Sequence, residues 1–265
     1  MKHPFKMILG FLTVTLLSGW FLLSPAQGHA QTRDSTKKYH VFLEVYLFAP
    51  SMSGTTGVGK LPNTFICIPF SEIFSDLKMA AMVYAEVHND RYAFTSDLFY
   101  ASLQQDASLK NGVLAGTASL KQFMWELAAL YKVQPWLEFG VGARINNINT
   151  GLNINYTGPL GGTQAGSGSM SQTWVDPIVI TRMKGVLSNK WMLQLRADIG
   201  GFGVGSQLTW QLQPDIYFRA SRLLEIGLGY RVLSMDYHTG TQGTNSWFLY
   251  DIEEYGPQIR IGFNL

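Results

Sequence analysis

Beyond residue 40, apolar and polar residues alternate one for one along much of the chain. In 136–146, Leu137, Phe139, Val141, Ala143 and Ile145 alternate with Glu138, Gly140, Gly142, Arg144 and Asn146. One face is wholly apolar and the other carries both signs of charge. A period of two is the mark of a β-strand. The pattern recurs where Leu193, Leu195, Ala197 and Ile199 oppose Gln194, Arg196 and Asp198, and where Leu224, Ile226, Leu228 and Tyr230 oppose Glu225, Gly227, Gly229 and Arg231. It recurs again around Leu208 to Phe218, and in Ile259, Ile261 and Phe263 against Gln258, Arg260 and Gly262.

A soluble sandwich turns such faces inward, whereas a membrane barrel turns them to lipid. Tyr92, Tyr131, Trp136, Trp174 and Trp191 stand near strand ends, where aromatics suit a membrane interface. The chain therefore reads as all-β, an antiparallel transmembrane β-barrel. Short turns fall at Asn89-Asp90, 132–135, Ser188-Asn189 and Ala220-Ser221. In bacterial barrels short turns and both termini are periplasmic, so the strand count is even. Ten strands satisfy this, near 39–50, 78–88, 91–103, 117–132, 135–156, 172–187, 190–203, 206–219, 222–237 and 247–264, with 51–77 outside or folded into the mouth. The alternative is twelve, counting 64–70 as spanning and splitting the last strand at Glu254. Placing both Asp251 and Gln258 inward requires a bulge near Gly256-Pro257.

The first thirty residues follow a different pattern. Lys2 and Lys6 precede a nearly continuous apolar run from Met7 to Leu23, and Ser24, Pro25, Gly28 and Ala30 follow it. This is the three-part design of a cleaved secretory signal peptide. The expected organisation is a signal at 1–30, a short periplasmic leader at 31–39 and an outer-membrane barrel at 40–265. No later run of eighteen apolar residues exists to form a spanning helix.

The chain has 20 Lys+Arg and 18 Asp+Glu. Lys2 and Lys6 leave with the signal and no acid does, so the mature chain is balanced. A neutral chain is not an electrostatic nucleic-acid binder. Cys67, the single cysteine, rules out an internal disulfide and reads as a small buried hydrophobe.

The second half resembles a family of uncharacterised Gram-negative outer-membrane β-barrel proteins. The resemblance is carried by Trp174-Val175-Asp176-Pro177, by the run Arg196-Ala197-Asp198-Ile199-Gly200-Gly201-Phe202-Gly203-Val204-Gly205-Ser206, and by Thr209-Trp210-Gln211, Gly229-Tyr230-Arg231, Asp236-Tyr237 and Gly256-Pro257. Phe70-Ser71-Glu72-Ile73 and Asp97-Leu98-Phe99-Tyr100 fit more loosely. Ile180 stands where a glycine is usual, and the chain ends in Leu265 with its last aromatic, Phe263, two places earlier. The resemblance implies an outer-membrane location, in a chain exported with its signal, and brings no biochemical activity.

The strongest candidate constellation is a set of charges placed inward by parity. The acids are Glu44, Glu86, Asp97, Glu126, Glu138, Asp176, Asp198, Asp215, Glu225 and Asp251; the bases are Arg144, Arg182, Lys184, Arg196, Arg219, Arg231 and Arg260. Long side chains of both signs fill a ten-strand barrel, so the expected function is a structural barrel or narrow small-solute pore with a salt-bridged lumen. Two other readings stay open. One is an outer-surface binding protein using the loops Gly158 to Gln172 and His238 to Asn245. The other is a barrel enzyme acting on lipid or peptide, for which Ser234 and Asp236 lie close to His238 in sequence; neighbours on one strand rarely assemble a triad, and no enzyme is expected.

The histidines lack metal-ligand spacing, so neither metal nor cofactor is expected. The glycine run 200–206 lacks the lysine and following helix of a phosphate loop and reads as a hairpin. The expected partners are outer-membrane lipid and the barrel-assembly machinery, with the ligand or solute open.

Overall fold

A computed structural model describes residues 39–108, 114–157 and 163–265. The proposed signal and nearly all of the leader lie outside the described residues. Ten antiparallel strands close into a barrel: β1 (His40–Phe48), β4 (Leu77–His88), β5 (Tyr92–Ser108), β6 (Leu114–Gln134), β7 (Leu137–Thr157), β8 (Thr163–Val186), β9 (Trp191–Gly200), β10 (Leu208–Arg219), β11 (Leu224–Thr239) and β12 (Phe248–Asn264). Each pairs with its neighbour in this order, and β1 pairs with β12 to complete the ring. Closure removes the unpaired edges that lipid does not tolerate.

The segment between β1 and β4 adds the strands β2 (Ser51–Val58) and β3 (Thr64–Ile68) and a short helix α1 (Phe70–Asp76). β1 and β2 run end to end along β12: Phe42–Phe48 pair with Gln258–Asn264, and Ser51–Val58 with Phe248–Tyr255. β3 folds back on β2. The twelve-strand reading fails because 64–68 forms this hairpin and β12 is unbroken at Glu254.

Both ends of the ten-strand ring, His40 and Asn264, lie on the paired strands β1 and β12 near the short reversals at 89–91, 135–136, 187–190 and 220–223; this is the turn end. The opposite, loop end carries the remaining connections. Alternation sets the faces there as everywhere. Leu43, Val45, Leu193, Leu195, Ile199, Leu228, Ile259 and Ile261 point outward and are exposed, as they must be to meet lipid. Tyr92, Tyr131, Trp136 and Trp191 are exposed near the turn end, and the Tyr92 and Tyr131 rings lie 5.5 Å apart.

Four expectations are corrected. Trp174, expected near a strand end at the interface, lies in mid-strand and is buried in the lumen. Of the expected loop, 158–162 lie outside the described residues and 163–172 are strand, since β8 begins at Thr163 and pairs with β7 from Thr163 to Met183. No bulge occurs at Gly256-Pro257, because β12 keeps an unbroken register with β11. Its even-numbered residues face inward throughout, so Asp251 points out and is exposed. The faces do not exchange; their chemistry does, with Phe248, Tyr250 and Ile252 inward beyond the level of Glu254. Cys67 is also exposed, because β3 turns it outward while Ile66 and Ile68 face in.

Candidate functional site

The lumen contains a charged plug below an apolar mouth. At the plug's centre, Arg144 is buried and donates from Nη2 to Glu126 at 2.9 Å and to Asp198 at 2.8 Å. Its Nη1 reaches Thr209 Oγ1 at 3.3 Å. Arg196, from β9, bridges Glu126 and Asp198 and approaches Asp97 at 4.0 Å. Asp97 accepts from Tyr46 at 2.7 Å. These residues come from β1, β5, β6, β7, β9 and β10, so the network crosses the lumen from wall to wall.

Two further clusters complete it. Nearer the turn end, Arg182 pairs with Glu86 and Glu138 and donates to Tyr84 Oη at 2.9 Å. Lys184, about a quarter exposed, lies 3.9 and 3.8 Å from the same two acids. On the other side Arg260 pairs with Glu44 and lies over the Tyr46 ring, 4.7 Å from its centroid. Gln258 and Gln213 donate to Asp215 at 2.6 and 2.8 Å.

Not every sequence-placed charge belongs to an ion pair. Arg219 pairs with buried Glu225 at 2.9 Å but is 52% exposed, because it ends β10 at the rim. Arg231 is buried without an acidic partner among the described residues and lies 5.5 Å from the Phe48 ring centroid. Asp176 is a hydrogen-bond hub instead of a salt bridge. It accepts from Ser206 N at 2.6 Å, Ser206 Oγ at 2.9 Å, Trp174 Nε1 at 3.0 Å and Asn146 Nδ2 at 2.8 Å. The motif residues Trp174, Asp176 and Ser206 therefore fasten the β9–β10 connection into the lumen. Left-handed backbone at Gly201 and Gly203 makes the inward turn, and a side chain at Gly205 would strike Val175 O at 2.4 Å. Trp174 then stacks on Tyr237, with centroids 4.0 Å apart and planes at 5°.

Above this layer lies a cavity of about 670 Å³. Met52, Ile66, Ile68, Leu120, Met170 and Phe248 are among its walls, with Thr56, Ser119, Thr150, Ser167 and Ser169 the small polar contributors. No Asp, Glu, Lys or Arg lines it. Tyr250 joins cavity to plug, since its ring lines the cavity and its hydroxyl donates to Glu254 at 3.0 Å. Gln122 donates to the same carboxylate at 2.7 Å. Sequence reading missed this cavity. Its available signal was the inward parity of Leu233, Met235 and Tyr237 on β11 and of Phe248, Tyr250 and Ile252 on β12.

The possible hydrolytic set does not assemble. His238 Nδ1 is 3.9 Å from Asp236 Oδ1, beyond hydrogen-bond range, and no hydrogen bond joins Ser234 to His238 among the described residues. No cluster of three or more metal-ligating side chains occurs among the described residues.

No protein-family model and no curated protein sequence matches the chain. Among solved structures it is similar to the outer-membrane protease OmpT from Escherichia coli, at 7% identity and TM-score 0.46, over 85% of this chain and 97% of that one. It is also similar to the toluene transporter TodX of Pseudomonas putida, at 7% identity and TM-score 0.38, over 86% and 90%. Neisserial surface protein A matches at 10% identity and TM-score 0.31, over 86% and 97%. At these values the likeness is one of overall barrel architecture and assigns no activity.

Proposed function

We propose that the protein sits in the outer membrane as a barrel closed to bulk ion flow, and that it binds a small neutral apolar ligand in the cavity at its loop end. On this reading residues 1–30 are removed on export, the short turns face the periplasm and the cavity opens to the cell exterior. The observation that carries the proposal is the uncharged cavity of about 670 Å³ directly above a cross-lumen ion-pair network. Ligand sites of about 300–1,000 Å³, mostly apolar with a few polar groups, are the common design. A charged solute would gain nothing from these walls, and its desolvation would oppose entry.

The protein reconstituted in a planar bilayer should give no steady ionic current, and should bind the neutral fluorophore phenylnaphthylamine saturably in detergent. Gly168→Trp should abolish the binding while leaving the barrel folded, since the space next to Gly168 is open. Fluorophore binding that survives Gly168→Trp would reject the cavity as the site.

A second reading, a narrow hydrated passage for small solutes, is favoured by Arg231. Its Nε and Nη1 find no acceptor among the described residues, and buried donors of this kind are normally satisfied, often by water. A steady current altered by Arg231→Gln would select that reading.

A further inference from the structure

The cavity wall is interrupted at one place. β4 pairs with β1 only from Val83 to His88, with Val45↔Val83 the last pair toward the loop end. Beyond it, Leu77 to Met82 keep β5 as a ladder partner but have none on the other side. Facing Met82 to Leu77, by continuation of that register, are Tyr46 to Ser51 at the β1–β2 junction, and β3, which pairs with β2 alone, begins beyond them at Ile68↔Met52. At the point of parting, Phe48 N donates to the sulfur of Met82 at 3.1 Å instead of to a carbonyl. The ring of ten is thus hydrogen-bonded throughout its lower part and unpaired between β4 and the β1–β2 junction higher up.

Among the described residues α1 lies across the opening. It packs against β2 and β5, and Phe70 N donates to Ser51 Oγ at 3.1 Å. Its Ile73 is buried, while Phe70 and Phe74 are exposed, with ring centroids 5.6 Å apart. Met79 on β4 borders the gap and Phe65 on β3 lies above it; they are 59% and 68% exposed. Ser51 pairs with Tyr255, so α1 sits where outward residues of β12 change from Ile261, Ile259 and Pro257 to Glu253 and Asp251. That change is the outer edge of the lipid-facing band. An apolar collar at this level meets acyl chains just below the headgroups.

The cavity begins just above this gap, at Met52 and Ile68. Ile66 and Ile68 of β3 line one side and Leu120 of β6 the other, while β4 and β5, which lie between them in the ring, contribute no lining residue. We infer that the ligand is an acyl chain of the outer leaflet, and that it enters sideways between β4 and the β1–β2 junction, beneath α1. This rests on the reading of the cavity as a ligand site and adds the ligand's class and route. A lipid chain fits because the walls are uncharged and a headgroup can stay at the interface while its tail reaches in. Nothing covalent is involved.

The test uses the full mature chain in phosphatidylcholine vesicles and two photoactivatable probes. One is a phospholipid with a diazirine at the end of an acyl chain; the other is a free neutral alkyl diazirine. Adducts are mapped by mass spectrometry. The phospholipid should label Ile66, Leu120 and Met170 as well as lipid-facing Leu195. Gly168→Trp should lose the adducts at the first three and keep the one at Leu195, which also reports that the variant is folded in the bilayer. Labelling of Ile66, Leu120 and Met170 by the free probe alone would overturn the lateral route and leave the cavity reading standing. Absence of cavity adducts with either probe would overturn both. Cavity adducts that persist in Gly168→Trp would mean that the chain arrives by another path, and would also reject the inference. Wild-type labelling alone decides the route, so the outcome does not depend on the variant folding.

Discussion

The two halves of the lumen share strands and parity but not chemistry. Along β11 the inward residues run Glu225, Gly227, Gly229, Arg231 and then Leu233, Met235, Tyr237; along β12 they run Gly262, Arg260, Gln258, Gly256, Glu254 and then Ile252, Tyr250, Phe248. The outward residues of β11 change the other way, from Ile226, Leu228 and Tyr230 to Ser234, Asp236 and His238. Where lipid covers the wall, apolar residues are needed outside, and the interior is left to charges that neutralise one another. Where the wall stands in water, polar residues cover the outside and the interior is free to be apolar. The surrounding solvent therefore sets where a lumen can hold a greasy ligand. In the charged half stability depends on complete pairing of desolvated groups; in the apolar half it comes from area removed from water.

The sharpest way to break this contrast is to remove the central cation. Arg144→Ala leaves Glu126 and Asp198 sharing only Arg196 in a dry lumen. Loss of one partner of a buried pair costs about 3–5 kcal/mol, so the variant should unfold at markedly lower urea than wild type in detergent micelles. If it unfolds like wild type, water reaches the lower lumen and the plug is a wet lining. On the lipid side, Leu195→Arg should cost about 2–4 kcal/mol near the bilayer midplane, and Leu195→Ala should cost less. Refolding into vesicles under urea gives both values.

The legible part of this fold was its period. Strict alternation in β7, β9 and β11 gave face and strand at once, and the need for both termini at the short-turn end gave ten strands over twelve. Inward charges such as Arg144, Arg196 and Asp198 could be placed because lipid forbids them outside. The same rule failed above the lipid. It sent Asp251 inward, and a bulge was then required to reconcile it with Gln258. The β2–β3 hairpin and α1 were illegible for another reason. Ser51–Val58 carries no alternation beyond Met52, since Ser53, Gly54, Thr55, Thr56 and Gly57 follow. Its place is set by a ladder with β12, some two hundred residues away in sequence. Three-dimensional pairing, not local pattern, made the Trp174–Asp176–Ser206 hub as well.

In the apolar half a smaller effect is expected. Leu120 borders an existing cavity and is only partly buried, so Leu120→Ala adds little new void. The loss is mainly transfer free energy, about 1–2 kcal/mol, well below that of Arg144→Ala. The same urea series measures it. Equal penalties for Leu120→Ala and Arg144→Ala would remove the energetic distinction between the halves.

The smallest expected effect lies outside the mouth, where the outward face has become polar. Asp236 and Asp251 stand directly opposite each other on β11 and β12, an arrangement in which like charges repel. Partial burial, and then the charge of Asp236, raise the Asp251 carboxyl above its ordinary value. A carboxyl raised in the folded state holds its proton more tightly there than in the unfolded chain. Its contribution therefore favours the fold at low pH and is lost as pH rises from the unfolded value, 3.8, through the raised folded one. At neutral pH the pair is mildly destabilising, and Asp251→Asn should melt slightly above wild type. The difference should shrink as pH is lowered through the acid range, where wild-type Asp251 takes up its proton. Asp236→Asn should act in the same direction, and the two together should gain less than the sum, because removing either carboxylate already ends the repulsion. Melting curves of the four proteins in detergent at neutral and acid pH read this directly. Fully additive gains would mean that the two carboxylates do not sense each other across the ladder, and that water around the mouth screens them as separate surface charges.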